Sequence, residues 1–231
     1  MLLLAVDTTT RFGSVALVRG EEVLAEVNYA SPSSHSRQVF QAVDDIIRLS
    51  GLKLDQLEGL AVAAGPGSFT GIRIGLSLVK ALALASGRPV AAVSALEALA
   101  LKLSLPGEGL IVPMIDARKG EVFAGAYLAA GGGLQEVLAP GAFNPSIFLD
   151  GLPPSGPISF IGTGAQLYQS LIEEIIGARA MFWNRSFHTA AEVGRLGQKL
   201  LAAGQGLRPA DLQPIYYRKS QAEEKKTVRT K

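Results

Sequence analysis

A glycine-rich run that follows a short apolar segment constrains this chain more than any other feature. The apolar segment covers residues 59–64, and the run that follows it reads Gly65-Pro66-Gly67-Ser68-Phe69-Thr70-Gly71-Ile72-Arg73-Ile74-Gly75. A short apolar segment of this kind is typical of a buried parallel strand, while the glycines and proline are typical of a tight turn. Ser68 or Thr70 can cap a following helix. The sequence therefore predicts a strand, a turn and a helix in close contact, as in α/β proteins.

Two roles are open for this turn. Free N–H groups and the positive end of the helix dipole attract phosphate or carboxylate, which makes Gly65, Gly67 and Ser68 candidate anion-binding residues. The glycines can equally serve close packing between strand and helix. The pattern of glycines by itself favours packing.

Composition limits the function classes. The 231 residues suit one large domain or two of ordinary size. There is no cysteine, so disulfides and thiolate metal sites are excluded, in keeping with a reducing cytoplasm. The formal net charge of +2 does not indicate a protein that binds nucleic acid without a partner.

No targeting or membrane segment is expected. Residues 1–6 are apolar but lack a basic n-region, and Asp7 follows directly. The longest apolar segment, residues 72–85, carries Arg73 and Lys80 and is shorter than a membrane-spanning helix requires. We therefore expect a soluble, cytoplasmic protein that does not bind membranes.

The first half predicts the element order βββαβαβα. Three antiparallel strands are expected within residues 2–29, and a helix follows in which apolar residues recur at helical spacing until Gly51. The glycine-run strand and helix come next, then a strand at 89–93 and a helix at 95–103.

The second half repeats this order. Strands are expected at 110–116, 122–128 and within 134–138, followed by a helix at 145–149, a strand at 158–161, a helix at 165–176, a strand at 180–183 and a helix at 190–203. Asp7 and Asp116 each end the first strand of their half, which indicates a duplicated unit. The predicted domains are residues 1–104 and 105–212, with a polar, flexible tail at 213–231.

Two such units facing across a cleft look like the RNase H-like architecture of actin, Hsp70 and sugar kinases, which closes over a nucleotide. Within that superfamily the chain resembles the bacterial TsaB (YeaZ) family. The resemblance rests on Leu4-Ala5-Val6-Asp7-Thr8-Thr9, His35-Ser36, the glycine run with Lys80, Val93-Ser94-Ala95-Leu96-Glu97-Ala98-Leu99-Ala100 and Ile115-Asp116-Ala117-Arg118.

The resemblance implies a role in making N6-threonylcarbamoyladenosine at position 37 of tRNAs that read codons beginning with A. In that family the paralogue TsaD transfers the group, TsaB binds it as a non-catalytic partner, and the ATPase TsaE is the third member, with ATP or ADP as the nucleotide of the complex. TsaD binds metal through a His-x-x-x-His pair, and the matching positions here are Ala95 and Leu99. No catalytic residue, metal ligand or cofactor of its own is therefore expected.

The same absence can be argued from the residues. The chain has two histidines, His35 and His188, which are far apart and form no i, i+4 pair. Asp7 with Thr8, and likewise Asp116, could place a metal-bound phosphate if a nucleotide enters the cleft. Alternatively these carboxylates bond to backbone in their own turns, and both interpretations stay open.

The helix after the glycine run is apolar on nearly all sides, so one sheet cannot cover it. Its glycines let a second helix approach closely, and the preceding helix is the expected neighbour. We predict that these two helices form a pairing surface for a homodimer or for the TsaD-like partner; the alternative is that both are covered within the monomer. The predicted contact residues are His35, Val39, Val43, Gly71, Ile74, Gly75, Leu78 and Leu82.

Two other functions compete with the partner role. An independent ATPase or small-molecule kinase is supported by Asp7, Asp116 and the glycine turn at residues 162–165. A peptidase is the weakest hypothesis, because the chain has neither a His-Glu-x-x-His site nor a cysteine nucleophile nor a nucleophile elbow.

Overall fold

The computed structural model describes residues 1–31, 36–103, 109–130, 133–183 and 185–218. The prediction for His35 lies outside the described residues.

The element order of the first half is as predicted. It comprises β1 Leu2–Asp7, β2 Phe12–Arg19, β3 Glu22–Ala30, α1 Ser36–Ser50, β4 Gly59–Gly65, α2 Phe69–Ser86, β5 Val90–Ser94 and α3 Ala95–Leu101.

The second half repeats that order with one interruption. Its elements are β6 Leu110–Arg118, β7 Glu121–Ala130, β8 Gly133–Phe143, α4 Pro145–Asp150, β9 Ile158–Ile161, α5 Thr163–Leu167, α6 Gln169–Ile176, β10 Ala180–Phe182 and α7 Ala190–Ala202. The single helix predicted over 165–176 is two helices, because Tyr168 leaves helical geometry at φ −107°, ψ 21°.

The two sheets have the same topology, which confirms the duplicated unit. The first sheet has the order β3-β2-β1-β4-β5, and the second has the order β8-β7-β6-β9-β10. In each, the first three strands are antiparallel and the last two run parallel to the first. This is the α/β arrangement of the actin, Hsp70 and sugar-kinase architecture.

Strand β4 of the first sheet has large residues on one face and small residues on the other. Along β4, Leu60 and Val62 join the core that contains the buried side of α1 and α2. Ala61 and Ala63 face the opposite core, which includes Val193 of α7. Because side chains alternate across a strand, helices pack on large side chains on one face and can approach the backbone closely on the other.

The helix that packs closely on the small-residue face is α7, which lies on the first sheet although the sequence assigns it to the second half. It contacts β1, β2, β4 and β5. A Cβ added at Gly194 would come within 2.5 Å of a Val18 methyl, and one at Gly197 within 2.6 Å of the Ala61 Cβ. The predicted division at 105–212 therefore does not follow the packing: the chain returns to the first sheet at α7, where the two glycines let the backbones approach.

The chain stays with the first half after α7. Leu207 forms an isolated bridge with Val90, and Leu212 is fully buried in the core beneath α1 and α2. The sequence assigns residues 213–231 to a flexible tail, but residues 215–218 pack against the rest of the chain, and residues 219–231 lie outside the described part of the chain.

Among the described helices, α2 is long and apolar enough by length and composition to cross a membrane, contrary to the sequence expectation for its apolar segment. The core helix of a soluble protein passes the same test. Here α2 packs against β4 and buries Ile72, Leu76 and Val79.

Candidate functional site

A cleft of about 920 Å³ lies between the two halves of the protein. Its walls come from four places: the β1–β2 turn, the glycine turn with the start of α2, the β6–β7 turn, and α5. Residues 215–218 form a further side of the cleft. The cleft is the place where parts of both repeats meet.

The glycine run packs against the β1–β2 turn. A Cβ at Gly67 would overlap the Thr9 carbonyl oxygen, and one at Gly71 would overlap the Thr8 carbonyl oxygen. At Gly75 the added Cβ would lie 2.5 Å from Thr8 Oγ1. The run therefore allows α2 to approach this turn closely, as the packing interpretation predicts.

Hydrogen bonds fix the same contact and use donors that an anion would need. The Thr8 hydroxyl donates to the Gly71 carbonyl oxygen at 2.7 Å, and Ser68 N–H donates to the Thr9 carbonyl oxygen at 2.6 Å. Gly71 N–H donates to the Ser68 hydroxyl at 3.3 Å, so Ser68, one of the two predicted candidates, is the N-cap. Anion binding by Gly65, Gly67 and Ser68 stays a prediction, with fewer free donors than the sequence suggests.

Asp7 is buried behind the cleft and not in its lining. Its Oδ1 accepts hydrogen bonds from Thr9 N–H and the Thr9 hydroxyl, both at 2.7 Å. Its Oδ2 accepts from the hydroxyl of Thr189, at the start of α7. Both carboxylate oxygens thus stabilise a turn and a helix start within the protein, and a role toward a nucleotide stays a prediction for Asp7 and Thr8.

Asp116 repeats the local geometry of Asp7 but lines the cleft. Its Oδ1 accepts from Arg118 N–H at 2.8 Å, two residues ahead, as the Asp7 Oδ1 accepts from Thr9. Its Oδ2 lies 3.4 Å from Arg118 Nη1. The carboxylate is therefore engaged by one residue, which supplies both a backbone and a side-chain donor.

Residues 215–218 form a strap along the cleft that the sequence prediction missed. Ile215 N–H donates to the Ala64 carbonyl oxygen at 2.7 Å, and Gly65 has no Cβ to block the Ile215 carbonyl. Tyr216 stacks on Phe69 with ring centroids 4.5 Å apart.

The strap also reaches the second half. Arg218 Nη1 lies 2.7 Å from Glu121 Oε2 at the start of β7, and the Tyr217 ring lies 6.5 Å from that of Phe123. The strap therefore joins both walls of the cleft. The Ile-Tyr-Tyr sequence at 215–217 was the available signal, because three large apolar residues are unusual in a flexible tail.

A partly buried cluster of ionisable groups lies near the strap. Burial raises the pKa of Glu97, and the charge of Glu136 raises it further. Burial and the same two carboxylates raise the pKa of the Tyr217 hydroxyl. The pKa of Tyr127 is raised for the same reasons, burial being the main cause.

The two positions that the resemblance aligns with the metal-binding histidines of the transferase carry no ligand atoms in this chain. Among the described residues no three His, Cys, Asp or Glu side chains come together as a metal-binding group. Ala95 and Leu99 are buried apolar residues on α3. His188 contacts the Ser186 hydroxyl through Nδ1 at 2.9 Å and the Tyr29 carbonyl oxygen through Nε2 at 3.1 Å, which is a structural role.

Most residues predicted for a pairing surface are buried within the chain itself: Val39, Val43, Gly71, Gly75 and Leu78. Ile74 and Leu82 are partly buried in the same core. The apolar side chains that these helices expose are different ones, with Phe40 of α1 59% exposed and Leu84 of α2 74% exposed. Helical spacing alone could not show which side of an all-apolar helix faces the monomer. The pairing surface itself stays a prediction.

The chain is similar to proteins of tRNA modification over nearly its whole length. A family model described as TsaD, tRNA N6-adenosine threonylcarbamoyltransferase, matches residues 22–226. The tRNA threonylcarbamoyladenosine biosynthesis protein TsaB of Bacillus subtilis is 33% identical, over 97% of this chain and 97% of the relative.

Two further comparisons separate the paralogues. The solved structure of YeaZ from Pseudomonas aeruginosa matches with a TM-score of 0.81 at 28% identity, covering 93% of this chain and 99% of that one. A tRNA N6-adenosine threonylcarbamoyltransferase of Methylobacterium sp. is 34% identical over 54% of this chain, but the match covers only 36% of that relative. The similarity to the Bacillus subtilis relative therefore covers nearly all of both chains, whereas the match to this transferase covers about a third of it.

Proposed function

Because the chain belongs to the TsaB (YeaZ) family, we propose that it is the non-catalytic partner of a TsaD-like transferase in the formation of N6-threonylcarbamoyladenosine on tRNA. The modified base is position 37 of tRNAs that read codons beginning with A. The observation that carries the proposal is the match to a relative of that name along 97% of both chains.

The site supports a partner role over a catalytic one. Ala95 and Leu99 stand where the resemblance places the histidine pair of the transferase, and both are buried among apolar residues. The carboxylates that could act on a phosphate accept hydrogen bonds from within the protein. Asp7 accepts from two threonine hydroxyls and a backbone N–H, and Asp116 accepts from the Arg118 backbone and pairs with its side chain. These contacts in the described residues do not favour the independent ATPase, kinase or peptidase.

The pairing surface is proposed on α1 and α2. Phe40 and Leu84 expose large apolar side chains there, and a surface of this type suits a protein partner. The buried Val39 and Leu78 support the helices from beneath and do not reach a partner. When the chain is alone, the same surface would form a homodimer. The complex would also include the TsaE-like ATPase and its ATP or ADP, and it would act in the cytoplasm.

Reconstitution tests the proposed function. The purified chain is incubated with an A-decoding tRNA alone, with the TsaD-like transferase, and with the full set of components and ATP, and the modified nucleoside is quantified. We expect product only when the transferase is present, and more of it with this chain than without. Modification by this chain alone, or no dependence on it, would contradict the proposal.

Matched variants test the surface. Phe40→Asp combined with Leu84→Asp should abolish co-elution with the transferase while leaving the thermal unfolding temperature nearly unchanged. Ile147→Asp is the control, since Ile147 is a similarly exposed apolar residue on α4 of the second half. If the α1–α2 double variant binds the transferase as the parent does, these helices are not the contact.

A further inference from the structure

Arginine side chains from three separate elements line the mouth of the cleft. Arg11 lies in the β1–β2 turn, Arg73 on α2 and Arg118 at the end of β6, next to the β6–β7 turn. Among the described residues that line the cleft, Asp116 supplies the one carboxylate, and it pairs with Arg118. Arg218 also lines the cleft, but it is half-buried and neutralised by Glu121. The mouth therefore has a surplus of positive charge that the chain's overall charge of +2 does not reveal.

Arg73 is held in place by neutral partners. Its Cζ lies 3.9 Å from the centre of the Phe69 ring, which is stacked in turn on Tyr216 with an interplanar angle of 14°. Its Nε donates to the Tyr216 hydroxyl at 3.3 Å. Among the described residues no carboxylate forms an ion pair with it. The guanidinium group is thus positioned by aromatic rings while its charge is left uncompensated.

The other two arginines occupy equivalent turns of the two repeats. Arg11 Cζ lies 4.7 Å from the centre of the Phe12 ring, and in the described structure Arg11 also has no carboxylate partner. Arg118 has an 85% exposed side chain and a left-handed backbone, with φ of +62°. Lys119 beside it has φ of +57°. Two successive non-glycine residues in this region are uncommon, and they hold a basic turn at the mouth of the cleft.

From this arrangement we infer that the cleft mouth formed by Arg11, Arg73 and Arg118 contacts phosphate groups of RNA. The inference rests on the proposed function, which brings a tRNA to the complex. Guanidinium groups bind phosphates through charge-assisted hydrogen bonds, and three of them on separate elements of two repeats can contact separate phosphates of one polyanion. The Phe69–Tyr216 stack beside Arg73 adds an aromatic surface of the kind that single-stranded nucleic acid contacts.

The expected effect can be scaled from counterion release. Each phosphate neutralised by a basic side chain contributes about −0.7 to −0.9 to the slope of log K against log salt concentration. Removing Arg11 and Arg73 should therefore make the slope shallower by about 1.4 to 1.8. At 0.1 M salt, relative to 1 M, the loss of two such contacts corresponds to about 25- to 60-fold weaker binding.

The experiment uses fluorescence anisotropy of a labelled A-decoding tRNA. The tRNA is titrated with the chain alone and with its complex with the TsaD-like transferase, between 50 and 200 mM KCl, a range of about fourfold over which salt dependence is readily measured. The test variant is Arg11→Gln with Arg73→Gln. The control is Arg19→Gln with Arg208→Gln, which removes the same charge from exposed sites outside the cleft lining. Arg19 lies at the far end of β2 from Arg11.

We expect the test variant to lower tRNA affinity and flatten the salt slope, with the control close to the parent. Thermal unfolding and co-elution with the transferase report that the variants fold and assemble. Unchanged affinity and slope in the test variant, an equal loss in the control, or no tRNA binding by either the chain or the complex would overturn the inference. So would loss of ADP binding with unchanged tRNA affinity, because the arginines would then hold a free nucleotide.

The two proposals fail in different ways. If the parent complex does not modify tRNA, the proposed function fails whatever the arginine variants do. If the parent complex is active and the test variant binds tRNA as the parent does, only the phosphate contact is wrong.

Discussion

Replacing Gly75 by alanine tests the contact between α2 and the β1–β2 turn. The new Cβ would lie 2.5 Å from Thr8 Oγ1, about 0.9 Å closer than ordinary van der Waals contact allows. Thr8 is fully buried, and its hydroxyl donates to the Gly71 carbonyl oxygen at 2.7 Å. The hydroxyl must therefore move away from its acceptor, or α2 must move away from the turn.

The expected cost follows from three contributions. Overpacking a filled core costs about 1 to 3 kcal/mol, and a buried hydroxyl that loses its partner costs about 1 to 3 kcal/mol. Alanine in a helix interior returns about 1 kcal/mol relative to glycine. The net expectation is a loss of about 1 to 5 kcal/mol, which for a chain of this size lowers the unfolding temperature by about 2 to 20 °C.

The assay is a double-mutant cycle followed by denaturant unfolding. Thr8→Ala removes the obstructing oxygen, so in that background Gly75→Ala should be nearly neutral, with a coupling energy of about 1 to 3 kcal/mol. Gly151→Ala is the matched control: its φ is −81° and the nearest atom to the new Cβ lies 3.5 Å away. Equal costs of Gly75→Ala with and without Thr8 would refute the steric explanation.

Three further changes test other parts of the structure. Gly197→Leu should unfold or strongly destabilise the chain, by about 3 kcal/mol or more, because the Cβ alone would lie 2.6 Å from that of Ala61; calorimetry measures it. Tyr216→Ala should raise hydrogen exchange at the start of α2, because the stack on the first turn of the helix is lost; unchanged protection there would contradict a packed strap. The raised pKa of Glu97 means that its ionisation opposes folding, so its contribution to stability is full below pH about 4.5 and is lost as pH rises through the folded-state pKa. Glu97→Gln should therefore raise the unfolding temperature at pH 7.5 and leave it unchanged at pH 4, whereas the exposed Glu174→Gln should change neither.

The order of elements could be predicted because alternation in strands and helical spacing are local properties of the sequence. The boundaries of β9 match the prediction, and the equivalence of Asp7 and Asp116 reflects the same turn geometry in both halves. The packing role of the glycine run could also be predicted, because several glycines at one connection indicate close approach.

The sequence could not predict which sheet or helix each element packs against, because an amphipathic pattern shows that an element has a buried face but not what that face contacts. The small residues of α7 indicate a close neighbour, yet nothing local says that this neighbour is the first sheet and not the second. The same holds for Leu78, whose apolar character fits a partner surface as well as the core in which it is buried. The sequence assigns residues 215–218 to the flexible tail because the residues that follow them are mostly polar and charged.

The return of α7 to the first sheet has a consequence for how the chain folds as it is synthesised. The alanine face of that sheet, with Ala5, Ala61 and Ala91, loses its main cover if the chain is cut before Ala190. Lys102 at the end of α3 meets Glu192 of α7 at 3.1 Å, a contact between residues far apart in the chain. Such contacts raise contact order and slow folding. The first half is therefore synthesised first, but its sheet cannot complete its packing until the whole second half has been synthesised.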